Sequence, residues 1–207
     1  MIHTTDKEIR VALHRKKLKR YHDCPDTLVV DELGLAHGKN RIDIAVLNGY
    51  VHGYEIKSSK DSLTRLPSQF NEYKKSLEKL SIVAAENHMD DLYRFAPSWC
   101  GLLLATKGPK GGIHFTNIRS PKLNPNIDTY AFAHLLWRKE AAELLVQLGE
   151  NPKALNIPKK NMYNKISSLL SSRDLSKKIK ELLMQRGDWR SEKLLFQYDD
   201  LPQLASK

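Results

Sequence analysis

The stretch Arg41–Lys57, RIDIAVLNGYVHGYEIK, decides the fold. Its first half alternates two sets of residues, as a strand with one set on each face does: Ile42, Ile44 and Val46 against Asp43, Ala45 and Leu47. Asn48-Gly49 is a strong hairpin-turn signal, because both residue types accept a positive φ at low cost. The chain from Val51 to Lys57 then reads as a returning strand. The sequence therefore predicts a β-hairpin.

Three charged side chains of this hairpin are expected to converge. Glu55 and Lys57 are two apart and share a face of the returning strand, and the hairpin can place Asp43 on that face too. Two carboxylates held together repel, and a divalent cation relieves the repulsion because it binds carboxylate oxygens. The lysine could orient a water or stabilise charge on a phosphate. The alternative is a surface hairpin that carries an ordinary salt bridge.

The order of these residues resembles the PD-(D/E)XK nuclease superfamily. That motif places an Asp on one strand and Glu-x-Lys on the next, and here Asp43 and Glu55-Ile56-Lys57 match it. Ile42 stands where the motif has a proline. The runs VDELGL, RIDIAV, HGYEIKS and LPSQFNEY also resemble one uncharacterised family of this type, over about residues 5–120.

Two further features agree with the resemblance. Glu32 lies on the preceding predicted strand, where many members of the superfamily supply another metal-binding acid, and Glu8 of the first helix is the alternative. Gln69 and Tyr73 lie four apart on a predicted helix, as in the QxxxY motif of the exonuclease-like branch. A tyrosine on this apolar stripe is more often a core residue, so Gln69 is the stronger functional candidate.

The resemblance implies both a fold and an activity. The fold is α/β, a restriction-endonuclease-like core (helix, three strands, helix, strand; mixed sheet) over residues 1–120, followed by a basic helical region over residues 121–207. The activity is that of a Mg²⁺- or Mn²⁺-dependent deoxyribonuclease. The implied catalytic residues are Glu32, Asp43, Glu55, Lys57 and Gln69. The implied metal ligands are Glu32, Asp43, Glu55 and the backbone carbonyl of Ile56, and Lys57 would position the attacking water.

Composition narrows the class of protein. The chain has 207 residues, of which 41% are hydrophobic, so a globular domain is expected. Cys24 and Cys100 are isolated, and no cysteine pairs with a histidine at zinc spacing. The sequence has no apolar run of transmembrane length and no basic-then-apolar start, so a cytoplasmic protein without a membrane partner is predicted.

Positive charge is concentrated at the two ends of the chain. The net charge is +5 over residues 1–20, −1 over residues 21–150 and +6 over residues 151–207. A polyanion, with DNA expected and RNA left open, is the simplest partner for such ends, and solubility is the alternative. The predicted nucleic-acid contacts are Lys39, Arg41, Lys177, Lys178 and Lys180.

Periodicity and turn signals place the other elements. The glycine-rich segment 108–112 is predicted to be a hairpin loop. The predicted strands and helices are a helix over residues 5–20, a strand Thr27–Leu33, a helix Pro67–Leu80 after a cap at Asp61 or Ser62, and C-terminal helices Tyr130–Leu148, Asn161–Leu170 and Asp174–Gln185.

Two other functions remain open from the sequence. The chain could be a DNA-binding or partner-binding module that keeps the fold without cutting, although a costly acidic cluster argues against this. It could also be a nuclease subunit whose specificity comes from another protein, because no clear sequence-reading domain is visible. A protein partner or a homodimer fits either possibility.

Overall fold

A computed structural model describes residues 3–186, and its strands form one six-stranded sheet in the order β1-β2-β3-β4-β5-β6. The β1–β2, β2–β3 and β5–β6 pairs are antiparallel, whereas β3–β4 and β4–β5 are parallel. The predicted α/β class with a mixed sheet is therefore confirmed. The strands are β1 Leu28–Leu35, β2 Asn40–Leu47, β3 Val51–Lys57, β4 Lys79–Ala85, β5 Gly101–Lys107 and β6 Ile113–Arg119.

The helices occupy the N-terminus, the crossovers between parallel strands and the C-terminal third. None of those within residues 3–186 is long and apolar enough to cross a membrane. The α-helices are α1 Asp6–Ala12, α2 Lys19–His22, α3 Leu66–Ser76, α4 Met89–Phe95, α5 Thr129–Ala133, α6 Arg138–Gln147, α7 Lys159–Leu169 and α8 Ser172–Arg186. The predicted helix over residues 5–20 is interrupted, because Leu13–Lys17 forms a π-helical turn.

Each face of the sheet carries its own hydrophobic cluster. The first helix packs on one face, where Ile9 and Leu13 meet Ile44. Helix α3 and the C-terminal helices pack on the other, and Tyr163 and Ile179 belong to the same cluster as the strands. The helices after residue 120 thus share a core with the sheet, and the predicted boundary at residue 120 stays a prediction.

The predicted β2–β3 hairpin is confirmed, with a turn of a different kind. Leu47 and Val51 form the last pair of the ladder, so the loop has three residues, Asn48 to Tyr50. Gly49 alone in this loop has a positive φ, of 110°. Asn48 does not use its tolerance of a positive φ, because this three-residue loop turns with a single left-handed residue.

Strand β2 changes face in its middle. The predicted alternation placed Ile42 on the same face as Ile44, but Ile42 packs in the cluster beside α3 and Ile44 in the cluster beside α1. Gly53 of β3 makes room for this arrangement, since a Cβ there would lie 2.9 Å from Ile42 Cγ1 and 2.7 Å from Leu77 Cδ1. The prediction is corrected because strict period-two alternation stops at Asp43, between the two isoleucines.

Helix α3 begins at Leu66, with Pro67 in its first turn as predicted, and ends at Ser76, because the chain from Lys79 onward is strand β4. The predicted cap at Asp61 or Ser62 is wrong, because Arg65 takes the N-cap position and no side chain caps the helix. Asp61 Oδ2 instead accepts hydrogen bonds from the backbone N and the hydroxyl of Ser58, both at 2.7 Å.

The predicted single helix Tyr130–Leu148 is two helices, α5 and α6. Trp137 has an extended backbone, and Glu140 Oε2 accepts a hydrogen bond from its N–H at 2.7 Å, which caps the start of α6. No glycine or proline lies between the two helices, so the break between them is not visible in the sequence. Gly149 does end the second helix, with φ 96°.

Candidate functional site

The strand registers place three acids side by side. Asp31 pairs with Ile44 and Leu33 with Ile42, so Glu32 lies across from Asp43. On the other side of β2 the last pair is Ile44–Tyr54, and one step further Asp43 comes level with Glu55. Three neighbouring strands therefore each bring one carboxylate to the same level of the sheet.

Strands β2 and β3 separate at this level. Their ladder ends at Ile44–Tyr54, and Asp43 Oδ2 accepts a hydrogen bond from the backbone N of Ile56 at 2.6 Å. The carboxylate thus occupies the gap where a ladder bond would otherwise be. Asp43 lies between two strands, and 22% of its side chain is exposed. The hydrogen bond from the Ile56 N–H fixes the direction of its carboxylate.

The backbone of Glu32 is strained. Its φ is 56°, in the left-handed region that non-glycine residues rarely adopt. Val30 and Leu33 consequently pack in the same hydrophobic cluster, although strict alternation would place them on opposite faces. Both β1 and β2 change face where Glu32 meets Asp43. Strain of this kind is concentrated at functional sites, where the surrounding fold maintains it.

Arg10 of α1 bridges the first two acids. Its Nη2 lies 3.0 Å from Glu32 Oε1 and 3.0 Å from Asp43 Oδ1, and its Nη1 donates to the Asp43 carbonyl at 2.7 Å. Its Nε donates to Asp6 Oδ1 at 3.2 Å. Only 11% of the side chain is exposed. Sequence reasoning missed Arg10, because nothing in the sequence distinguishes it from the other basic residues of the first helix.

The third acid, Glu55, is fixed by three donors. Its Oε1 accepts from Lys57 Nζ at 2.7 Å and from Gln69 Nε2 at 3.2 Å, and its Oε2 accepts from the Tyr73 hydroxyl at 2.6 Å. Tyr73 is fully buried, so it is a core residue. Its hydroxyl is at the same time a hydrogen-bond donor to Glu55. Both residues of the QxxxY pair therefore reach Glu55.

Electrostatics single out Asp43 among these groups. Burial and the neighbouring Glu55 raise the pKa of Asp43 to about 7, against the smaller opposing effect of Arg10. Burial, and then the charge of Glu55, also raise the pKa of Tyr73 well above its ordinary value, so its hydroxyl remains a donor. Asp43 is thus a carboxyl that a proton or a nearby cation stabilises.

Glu32 and Asp43 have the geometry and chemistry to hold a divalent cation. Their oxygens Oε1 and Oδ1 converge on one cationic atom, Arg10 Nη2, and carboxylate oxygens suit Mg²⁺ or Mn²⁺. Both oxygens of Glu55 are occupied by hydrogen bonds instead. Accordingly, residues 3–186 contain no group of three or more His, Cys, Asp or Glu side chains arranged to hold a metal ion. The pair fits an ion that keeps several waters, as Mg²⁺ usually does.

Glu8, the alternative to Glu32, has other partners. Its Oε2 accepts from the backbone N of Thr5 at 2.9 Å, which completes a capping box at the start of α1, and its Oε1 pairs with Lys107. Glu32, in contrast, shares Arg10 with Asp43. The first helix therefore contributes a cation to the acidic group, and Glu32 contributes the second acid.

Comparison with known proteins identifies the family. The sequence profile described as bacteriophage P4 protein cII matches residues 3–200. The chain belongs to the bacteriophage P4 protein cII family. Protein cII of Enterobacteria phage P4 is 27% identical over 144 residues, which cover 70% of this chain and 54% of the relative. The chain thus spans about half the length of that protein. A solved protein of unknown function from Silicibacter pomeroyi is similar at 16% identity, with a TM-score of 0.45 over 71% of this chain and 92% of that one.

The predicted nucleic-acid contacts of this cII family member lie at two places. Lys39 just before β2 and Arg41 at its start are exposed, and they precede Asp43 in the chain by four and two residues. Lys177 and Lys180 line a small cleft with Tyr50, at the turn of the hairpin. Four strand residues, 44 to 47, separate that turn from Asp43, which corresponds to about 17 Å from Asp43 to the first turn residue. Lys178 is paired with Glu181 at 2.8 Å, so its charge is partly compensated.

Proposed function

We propose that this chain is a Mg²⁺- or Mn²⁺-dependent nuclease that hydrolyses phosphodiester bonds in DNA, on a restriction-endonuclease-like core. The observation that carries the proposal is the alignment of Glu32, Asp43 and Glu55 on three adjacent strands, with Lys57 on the same strand as the last acid. The order of α1, β1–β3, α3 and β4 supports it, since it follows the helix, three strands, helix, strand expected from the sequence.

Glu32 and Asp43 would hold the divalent cation, and the carbonyl of Ile56 is the proposed third protein ligand. The ion would supply positive charge that polarises the phosphodiester and stabilises the departing oxygen. Asp43 is suited to this role because its Oδ2 is fixed by the Ile56 N–H while its Oδ1 faces Glu32 across the register. Only 22% of the Asp43 side chain is exposed, which limits the access of water that would compete with it for the ion.

Lys57 would act on the attacking water and on the charge that develops at the phosphate. Its Nζ is held by Glu55 Oε1 at 2.7 Å, and only 12% of its side chain is exposed. Gln69 and Tyr73 of α3 hold the Glu55 carboxylate by hydrogen bonds. Because Glu55 in turn holds the Lys57 ammonium, α3 preorganises that ammonium indirectly. Preorganised charge of this kind stabilises a transition state without the cost of reorientation.

The DNA backbone would lie across the exposed basic residues. Lys39 and Arg41 shortly precede Asp43 in the chain and would hold phosphates beside the cleaved bond, and Lys177, Lys178 and Lys180 are candidates for more distant phosphates. Contacts of this type are independent of sequence. Target choice would then come from elsewhere, which is compatible with a partner protein or a homodimer.

A second candidate function is a DNA-binding or partner-binding module that does not cut. Arg10 favours it, because an internal guanidinium already neutralises Glu32 and Asp43 and gives the acids a structural role. The three donors on Glu55 have the same effect. The difference between the two functions is whether a divalent cation binds at the acid pair.

One panel of substrates tests the proposal. Purified protein and Asp43→Ala are incubated with linear, circular and single-stranded DNA, with Mg²⁺, with Mn²⁺ or with EDTA. We expect wild type to cleave at least one substrate only when the metal is present, and Asp43→Ala to cleave none while it still binds DNA. DNA binding by both proteins, without cleavage in any metal, would instead identify the non-cutting module.

A further inference from the structure

The guanidinium of Arg10 occupies the position that a cation between Glu32 and Asp43 would take. A single atom, Nη2, lies 3.0 Å from an oxygen of each acid. A divalent cation and a guanidinium cannot both fit between these two oxygens, since two positive charges in contact repel strongly where water is largely excluded. Binding of one must therefore exclude the other from this position.

We propose that Arg10 is a resident counter-cation, which holds the acid pair together in the absence of metal and is exchanged for the divalent ion when it binds. This inference rests on the proposed function. It adds a residue that sets the metal affinity of the site, and it predicts that wild type binds metal more weakly than its two carboxylates alone would.

The rest of α1 is fixed, so the exchange involves the side chain of Arg10 and not the helix. Thr4 N donates to Ser59 Oγ at 2.9 Å, and Ser59 N donates to Thr4 Oγ1 at 3.0 Å, which ties the helix start to the segment after β3. Glu8 closes the capping box at Thr5 and pairs with Lys107 of β5. These contacts remain when the guanidinium moves.

Asp6 offers the displaced guanidinium a place to go. It lies one turn before Arg10 on the same helix, and its Oδ1 already accepts from Nε at 3.2 Å. Its side chain is 46% exposed, so a guanidinium that rotates toward it reaches water while it keeps one ion pair. The long, flexible arginine side chain makes this movement possible without a backbone change.

Calorimetric titration with Mn²⁺ alone tests the exchange. Wild type, Arg10→Met and Arg10→Lys are compared at one pH and one ionic strength. Arg10→Met should bind Mn²⁺ at least about tenfold more tightly than wild type, which corresponds to about 1.4 kcal/mol. Arg10→Lys should fall between them, because one ammonium cannot bridge both acids as the planar guanidinium does. Thermal unfolding should show Arg10→Met less stable than wild type without Mn²⁺ and recovering when it is added.

Two control variants and one replacement variant complete the experiment. Arg20→Met removes a positive charge from the same N-terminal segment at an exposed position, so its Mn²⁺ affinity should equal that of wild type. Asp43→Asn should not bind Mn²⁺. Arg10→Gln replaces Arg10→Met if circular dichroism shows that the latter does not fold.

The results separate this inference from the function on which it rests. If wild type binds Mn²⁺ and the Arg10 variants bind it equally or more weakly, the exchange is wrong and the metal site stands. If neither wild type nor any folded Arg10 variant binds Mn²⁺, both the exchange and the metal-dependent function are wrong.

Discussion

Glu32 lies directly across the β1–β2 ladder from Asp43, and it has a left-handed backbone with φ 56°. The acid that shares Arg10 with Asp43 is thus also the residue of β1 with the least common backbone conformation. A glycine would adopt this conformation without strain, so the glutamate side chain is present at an energetic cost of about 1–2 kcal/mol.

Substitutions at Glu32 separate this backbone strain from the charge. Glu32→Ala loses the carboxylate and keeps the strain, whereas Glu32→Gly loses both. We expect Glu32→Gly to be more stable than Glu32→Ala by about 1 kcal/mol, measured by urea denaturation without metal. Both should lose Mn²⁺ binding. Equal stability of the two variants would show that the strand at Glu32 is unstrained.

The hydroxyl of Tyr73 supports both the fold and the site. Tyr73→Phe leaves Glu55 Oε2 without its donor at 2.6 Å and should cost about 1–3 kcal/mol in urea denaturation. Tyr163→Phe is the matched control, since Tyr163 is equally buried and its hydroxyl donates to the Leu136 carbonyl at 2.8 Å. Both should be destabilised, but only Tyr73→Phe should slow DNA cleavage. DNA cleavage by Tyr73→Phe at the wild-type rate would show that the Tyr73 hydroxyl has no role in the reaction.

The hairpin and its acids were predictable because they depend on local signals. Alternation, a glycine turn and Glu-x-Lys spacing are all visible within residues 41–57, and together they predict two strands joined by a turn. The register that brings Asp43 level with Glu55 depends on the three-residue loop, which these signals did not predict. Gln69 and Tyr73 were predictable as a pair because helical spacing places them on one face. The contact of Tyr73 with Glu55 was underestimated, since burial and hydrogen bonding are not exclusive for tyrosine.

Arg10 and the face change at Asp43 were not predictable, because both depend on tertiary contacts. A single arginine in an amphipathic helix is ordinary, and only the packing of α1 over the middle of β1 and β2 gives it two acids as partners. The face change at Asp43 appears in the sequence as ordinary alternation. The break before Trp137 likewise depends on packing, since Arg186 covers the Trp137 ring at 4.1 Å and pairs with Glu140.

The raised pKa of Asp43 predicts a dependence of stability on pH. Between the ordinary value of 3.8 and about 7, the folded protein binds more protons than the unfolded chain, so stability falls as pH rises. Asp43→Asn should reduce this slope by up to about 1.4 kcal/mol per pH unit, in urea denaturation with EDTA. Part of the slope should persist, because burial also raises the pKa of Glu78. Identical slopes for the two proteins would contradict the assignment.

Salt dependence of DNA binding distinguishes the two groups of basic residues. Lys39→Gln with Arg41→Gln should reduce the salt slope by up to about one for each lost phosphate contact, and Lys177→Gln with Lys180→Gln should do the same if the DNA reaches the hairpin turn. Lys178→Gln is the control within the second group and should change the slope least, because Glu181 already pairs with Lys178. An unchanged slope for either double variant would limit that group to solubility or a protein contact.

The most direct measurement is single-turnover cleavage of an end-labelled linear duplex by wild type and Lys57→Ala, with Mg²⁺ and with EDTA. Lys57 contacts Glu55 and would act mainly on the transition state, so its loss should affect chemistry more than binding. We predict Mg²⁺-dependent cleavage by wild type and a rate lower by about 100-fold or more for Lys57→Ala, with unchanged affinity for DNA and Mn²⁺. Absence of cleavage by wild type, or an equal rate for Lys57→Ala, would contradict a nuclease site at these residues.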